Sequence, residues 1–172
     1  TVPGVPYRLE KGDSVPLTAA PRLGEHTEEV LSILTNTAGS GKELPPPQPL
    51  AGLKVVDFTA FWAGPFAATV LAGLGAEVIK VESIQRPDGM RFASGFIPED
   101  GIVWEWAPVF HGANSGKQAI TLNLDTPDGL ALAKDLVRQA DVVIENFSPR
   151  VMERFGFDGA GMKELNPEAI LV

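Results

Sequence analysis

Lys54-Val55-Val56-Asp57-Phe58, then Pro65-Phe66-Ala67-Ala68-Thr69-Val70-Leu71-Ala72-Gly73-Leu74, then Glu77-Val78-Ile79-Lys80-Val81-Glu82: the order of these three runs decides the fold. The outer two are short and β-branched, the composition of strands. The middle run is an apolar helix, with Pro65 in the first turn, where a missing N–H leaves nothing unpaired. Gly73 and Gly75 close that helix as caps. A strand, a helix and a strand in succession make a crossover, so the two strands run parallel in a sheet that carries helices on its faces. Phe58 to Ala76 is uncharged and close to the ~20 residues that span a bilayer. Gly64, Pro65, Gly73 and Gly75 interrupt it, and Ala rather than Leu dominates. A buried strand end, a turn and a buried helix explain it better than a membrane span.

The same alternation continues downstream. Residues 83 to 114 form an irregular excursion with a short helix around Val103 to Phe110. Gln118 to Leu122 alternates like a strand, and Thr126 to Gln139 is an amphipathic helix with Leu130, Ala133 and Val137 on its inner stripe. Asp141 to Asn146 reads as a strand, Pro149 to Phe155 as a short helix, Met162 to Leu165 as a turn and Ala169 to Val172 as the start of a strand. The fold class is therefore α/β, a Rossmann-like parallel sheet with helices on both faces. Ligands of such sheets sit beyond the carboxyl ends of the strands, which directs attention to the segments after Phe58, Glu82 and Asn146.

Upstream the pattern differs. Residues 1 to 24 are irregular and Pro-rich, and Glu25 to Leu34 reads as a short helix with acids in its first turn. Thr35 to Pro49 holds Gly39, Ser40, Gly41 and then Pro45, Pro46, Pro47 and Pro49, the composition of a linker. A boundary is expected there. The chain has no initiator Met and stops as a strand begins, so it reads as a piece of a longer protein.

The 172 residues suffice for one domain with a core. With 14 basic against 22 acidic residues the net charge is -8, which argues against a general nucleic-acid or anionic-membrane binder. An anionic small ligand would need a local cluster of cations and backbone N–H groups. The absence of cysteine excludes disulfides, thiolate zinc sites and cysteine nucleophiles, and a cytoplasmic setting fits it. Thr1 to Glu10 has no signal-peptide pattern.

Three segments offer chemistry, each with a plainer reading beside it. Thr59 to Pro65 turns from strand to helix and presents free backbone N–H groups to an anion, or is simply a buried turn with Trp62 in the core. Asn114-Ser115-Gly116-Lys117 is a polar loop able to take a phosphate, or a solvated turn. Glu145-Asn146-Phe147-Ser148-Pro149-Arg150, leading to Arg154, offers amide hydrogen bonds, an aromatic face and phosphate forks, or a strand-end turn with surface arginines. A dinucleotide fingerprint does not fit, because its glycines belong between the first strand and helix and here they end the helix. His26 reads as a surface residue, and neither it nor His111 has further ligands at metal spacing.

Taken together, the segments resemble the family III CoA-transferases of the CaiB/BaiF type, formyl-CoA transferase included. Leu50 to Thr59, Ala63-Gly64-Pro65-Phe66, Leu74 to Glu82, Gly116-Lys117, Leu124 with Thr126-Pro127-Asp128-Gly129, Ala140 to Phe147, Met152 to Gly156 and Asn166-Pro167 follow in the family's order. The resemblance covers residues 50 to 172. Ala20 to Leu31 is similar instead to the family's C-terminal signature. That order implies a tandem fusion: residues 1–34 as the tail of a preceding repeat, 35–49 as linker, and 50–172 as the CoA-binding part of the next repeat.

The resemblance implies transfer of CoA from an acyl-CoA to a carboxylic acid through an aspartyl intermediate, with the catalytic Asp downstream of Val172 and none in this chain. By position it places CoA contacts at Phe61, Trp62 and Ala63, at Ala113, Asn114, Ser115, Gly116 and Lys117, at Glu145, Asn146 and Phe147, and at Arg154. Trp62 stands where formyl-CoA transferase has a glutamine. Ser83 stands where it has an arginine, leaving Arg86 or Arg91 to take that role. Coenzyme A is the implied ligand, with no metal, no nucleic acid and no membrane, in a parent that is an interlocked dimer or its fused equivalent. An α-methylacyl-CoA racemase of the same superfamily and a degenerate, non-catalytic repeat are the competing readings.

Overall fold

The computed structural model describes residues 17–35, 48–93, 101–148 and 150–172. Among them five strands form one parallel sheet: β1 (Lys54–Asp57), β2 (Glu77–Glu82), β3 (Gln118–Thr121), β4 (Val142–Ile144) and β5 (Ile170–Leu171). The helices are α1 (Thr27–Thr35), α2 (Ala63–Gly73), α3 (Pro108–Asn114), α4 (Pro127–Arg138), α5 (Val151–Phe155) and α6 (Gly159–Leu165). The strand order is β3-β2-β1-β4-β5, so the order reverses between β1 and β4. A reversal of this kind opens a crevice at the carboxyl ends of the two strands involved.

Strand alternation gives the sheet two different faces. Val56, Val81, Ile120 and Val143 point to one side and pack with Val30 of α1, Ala133, Leu136 and Val137 of α4, Met152 of α5 and Met162 of α6. Phe157 lies on this side too, stacked on Phe58 with ring centroids 5.4 Å apart. Val55, Val78, Val142 and Ile144 point to the other side, against Ala68 and Ala72 of α2. The small side chains of α2 let it lie close to the sheet, which accounts for its Ala-rich composition. Its end is set by Gly75 at φ 101, a left-handed turn without strain for glycine.

Asn166 finishes α4 from a distance. Its amide donates to the carbonyls of Val137, Arg138 and Ala140, groups that a helix end leaves unpaired. The stretch expected as a turn over Met162 to Leu165 is the second half of α6, which Asp158 begins by accepting the Gly161 N–H.

The segment ahead of residue 50 is joined to the sheet where it is described. His26 donates its backbone N–H to the Ala119 carbonyl, and its Nδ1 accepts the Ala119 N–H. Thr27 Oγ1 accepts the Thr121 N–H. These contacts occupy the free edge of β3, an edge that would otherwise offer its backbone to another strand. His26 is thus a half-buried staple and not the surface residue expected. The linker read over 35–49 falls mostly on residues 36–47, outside the described residues.

The apolar stretch Phe58 to Ala76 resolves into a strand end, a turn and the 11-residue α2. Among the described residues no helix is long and apolar enough to cross a membrane.

Phe157 is fully buried and Phe147 is 42% exposed, so the two rings should respond differently to truncation. Phe157→Ala is expected to lower unfolding stability by about 3–5 kcal/mol, and Phe147→Ala by no more than ~1 kcal/mol. Urea unfolding of the two variants checks this.

Candidate functional site

Three charged residues point inward on the α2 side of the sheet: Asp57 from β1, and Lys80 and Glu82 from β2. Burial of an ion without a partner is prohibitive, so each must be matched. Asp57 Oδ2 receives Lys117 Nζ at 2.8 Å, both side chains at zero exposure. Lys117 Nζ also donates to the Pro65 carbonyl at 2.7 Å and to Asn114 Oδ1 at 2.9 Å. Lys80 Nζ donates to the Thr59 carbonyl at 2.8 Å and faces Asp88 Oδ2 at 3.1 Å, an ion contact without a hydrogen bond. Glu82 takes both Nε and a terminal nitrogen of Arg91, which also reaches Glu105 and lies over the Phe110 ring.

The electrostatics follow from this pairing. Burial alone would push the Asp57 carboxyl up, but the charges of Lys117 and Lys80, with hydrogen bonds from Lys117 and Thr59, bring it below the ordinary carboxylate value of 3.8. Burial pushes the Lys117 ammonium down to about 8, although Asp57 opposes that shift.

Above this layer lies the turn from β1 to α2. Asp57 Oδ1 accepts the Thr59 N–H at 2.9 Å. Asn146, following β4, brackets Ala60: its Oδ1 accepts the Ala60 N–H and its Nδ2 donates to the Ala60 carbonyl, each at 2.8 Å. Phe61 has φ 68, a left-handed backbone that costs a non-glycine residue of order 1–3 kcal/mol. Its N–H is held by Asp88 Oδ1 at 3.1 Å. A Cβ on Gly64 would lie 2.5 Å from Thr59, so glycine is required where α2 begins. The result is an open aromatic face at the strand-order reversal: Phe61 and Trp62 are 58% and 61% exposed, with Phe147 exposed next to Asn146.

The expected contact residues therefore separate into three groups. Phe61, Trp62 and Ala63 are exposed on the β1 side of the reversal, and Asn146 and Phe147 on the β4 side, with Glu145 half-buried before them. The Asn146 amide is engaged with Ala60, and Glu145 accepts the Phe147 N–H. Ala113, Asn114, Ser115 and Lys117 are buried beneath, with Gly116 half-buried at φ 80. The Lys117 ammonium, expected at a phosphate, is spent on Asp57, and the Ser115 hydroxyl donates to the His111 carbonyl.

Arg154, in α5, is exposed, paired with Asp125 and lying over its neighbour Phe155. Arg91, offered as a substitute nucleotide contact, is fully buried between Glu82 and Glu105, whereas Arg86 is exposed. The His111 ring meets the Glu105 carbonyl, and among the described residues no acidic or imidazole cluster of metal-binding size is gathered. A separate cavity of about 510 Å³ lies between residues 18–26 and 102–117, lined by His26, Glu105, Trp106 and His111 among others. Sequence reasoning missed Lys80 and Asp88. The signal was available in Val78-Lys80-Glu82, an alternation that puts charge on a face of a doubly covered sheet.

Asp57 and Lys117 are expected to behave as one unit. Asp57→Asn or Lys117→Met alone leaves a buried partner unmatched and should cost about 3–5 kcal/mol in urea unfolding, with the double variant recovering part of the loss. Because the folded-state value of Asp57 is depressed, its contribution is complete above pH 3.8 and fades as pH falls further. Asp57→Asn should flatten that acid limb. Lys117, depressed to about 8, adds no loss of stability on the alkaline side, since the unfolded chain then holds more protons.

Comparison with known proteins agrees with this fold. The sequence model of CoA-transferase family III matches residues 50–172. The succinate–glutarate CoA-transferase of Agrobacterium fabrum is 40% identical over 123 residues, 71% of this chain and 31% of that protein. The formyl-CoA:oxalate CoA-transferase of Escherichia coli is 37% identical over 122 residues, 71% of this chain and 28% of that one. The crystal structure of a CaiB/BaiF family protein from Brucella suis aligns with TM-score 0.64 and 39% identity, covering 72% of this chain and 32% of that one. The chain thus spans about a third of the length of these relatives. From the opening strand to its last residue, this chain belongs to CoA-transferase family III.

Proposed function

We propose that residues 50–172 are the CoA-binding portion of an enzyme that moves CoA from an acyl-CoA to a free carboxylic acid. The observation that carries this reading is the open face at the β1/β4 reversal, where Phe61 and Trp62 stand exposed across the Ala60–Asn146 contact from Phe147. Adenine and the pantetheine arm suit aromatic faces, and phosphates suit the free N–H groups of the first turn of α2. In a chain of net charge -8 the phosphates must be met locally, and Arg86 and Arg154 are exposed cations.

The chemistry proposed for the whole protein uses an aspartate downstream of Val172. Its carboxylate attacks the thioester carbonyl and expels the CoA thiolate, leaving a mixed anhydride. The thiolate then attacks the aspartyl carbonyl, releasing the donor acid and forming an aspartyl-CoA thioester. An acceptor carboxylate attacks that thioester and expels the thiolate, leaving a second anhydride. The thiolate then attacks the acceptor's carbonyl and releases the aspartate carboxylate. Carboxylate catalysis in this form divides one hard exchange into easier steps. The present chain would bind and orient the CoA, and without the aspartate it would not catalyse transfer.

Residues 1–34 are read as the tail of a preceding repeat and 35–49 as the linker. The start of the family match at residue 50 fits a boundary ahead of it. The parent is then a tandem fusion or the equivalent of an interlocked dimer, and the lack of cysteine suits the cytoplasm.

Thermal unfolding with CoA, and with NAD as control, tests the reading. CoA alone is expected to stabilise the chain increasingly with concentration, by about 2.7 kcal/mol at a hundredfold excess over Kd. Stabilisation by NAD alone, or none by CoA, would contradict it. Arg154→Ala is expected to weaken CoA binding by ~1–3 kcal/mol, and an unchanged affinity would remove Arg154 from the site.

A further inference from the structure

The turn Thr59–Phe61 has no backbone ladder of its own beyond β1, and side chains from β1, β2 and the segments after β2 and β4 hold all three residues. Asp57 takes the Thr59 N–H and Lys80 the Thr59 carbonyl. Asn146 takes both backbone groups of Ala60, and Asp88 takes the Phe61 N–H. Asp88 is itself fixed on several sides. Its N–H donates to Glu82 Oε1 at 2.9 Å, its Oδ1 also accepts the Met90 N–H at 3.0 Å, and its Oδ2 faces Lys80. Lys80 and Asp88, one ion contact, therefore hold the two ends of the turn.

The next residue receives the ring. A Cβ built on Gly89 would lie 2.8 Å and 2.9 Å from Cζ and one Cε of Phe61, so the ring rests directly on the Gly89 backbone. Phe61 nevertheless stays 58% exposed. A large aromatic held in a left-handed backbone, supported from below and open above, is arranged for presentation and not for the core. Presentation of a fixed surface reduces the ordering that a ligand must impose on binding.

We infer that Asp88 and Gly89 are positioning residues for the aromatic rim, Asp88 by fixing the Phe61 backbone and Gly89 by seating its ring. The inference rests on the CoA reading above and adds to it two residues that act through Phe61. Both lie in the segment after Glu82 to which the sequence drew attention, although neither was named there.

Two variants of one residue isolate the effect. Asp88→Asn and Asp88→Ala both leave Lys80 without its anion, but only Asn keeps an acceptor for the Phe61 N–H. In amide hydrogen exchange of the free chain, Phe61 is expected to remain protected in wild type and Asp88→Asn. In Asp88→Ala it should exchange at least about tenfold faster, with Val56 unchanged. By calorimetry, CoA affinity should fall about tenfold in Asp88→Ala and stay within about threefold in Asp88→Asn. Gly89→Ala leaves every charge and acceptor in place and covers the case in which the Asp88 variants fail to fold. It should weaken CoA binding by about fivefold with little change in melting temperature. Equal Phe61 exchange in the two Asp88 variants, or wild-type CoA affinity in Gly89→Ala, would overturn the inference. A wild-type chain that binds no CoA contradicts the functional reading instead, and the exchange comparison then decides the hold of Asp88 on Phe61 by itself.

Discussion

A carboxylate shut away from water needs a cation, and at the end of the central strand Asp57 has Lys117 against it at 2.8 Å. Much of the carboxyl-end surface is arranged around that pair. Lys117 crosses to Asp57 from the residue before β3 and on the way ties down the Pro65 carbonyl in the first turn of α2. Asp57 uses its second oxygen to start the Thr59 turn. The pair thus joins the helix start, held by Lys117, to the turn, held by Asp57. A buried pair of this kind adds little net stability compared with an apolar replacement, so its role is better described as specifying one arrangement.

The two faces of the sheet divide the work. On the α1/α4 side the strands present an apolar cluster to the helices. On the α2 side the same strands carry valines first and charges last, Val55 before Asp57 and Val78 before Lys80 and Glu82. The charges therefore collect at the carboxyl ends, where they grip loops instead of filling a core. The reversal of strand order between β1 and β4 leaves room above them, and Asn146 bridges that gap by holding Ala60. Position, rigidity and exposed aromatic surface thus come together at one place, with the charged layer hidden beneath it.

Much of this architecture is legible in the amino-acid sequence. The bounds of β2, Glu77–Glu82, are those expected, and α4 differs from its expected range by one residue at each end, because period-2 and period-3.6 patterns there are strong and the cap residues unambiguous. The segment at Phe61 and Trp62 is legible only as the connection after the first strand, because the reading that puts Trp62 in the core fails against its 61% exposure. What escapes is tertiary. Lys117 looks like a phosphate ligand in a polar loop, and only the fold reveals Asp57 within reach of it, 60 residues away. Asn146 looks free to read a ligand amide, but its partner is Ala60, 86 residues earlier. Such pairings depend on which strands become neighbours, and no local pattern carries that information. His26 is the same case, a helix-start residue by sequence that becomes the staple of a sheet edge.

The proposed CoA site at the strand-order reversal is the central claim. Backbone amide chemical-shift mapping of the chain on titration with CoA addresses it directly. Perturbations should concentrate at Ala60 to Gly64 and Glu145 to Phe147, on both sides of the strand-order reversal, with the buried Asn114 to Lys117 segment little affected. Saturable shifts centred instead on the cavity between residues 18–26 and 102–117, with the Phe61–Trp62 turn unmoved, would contradict a site at the reversal.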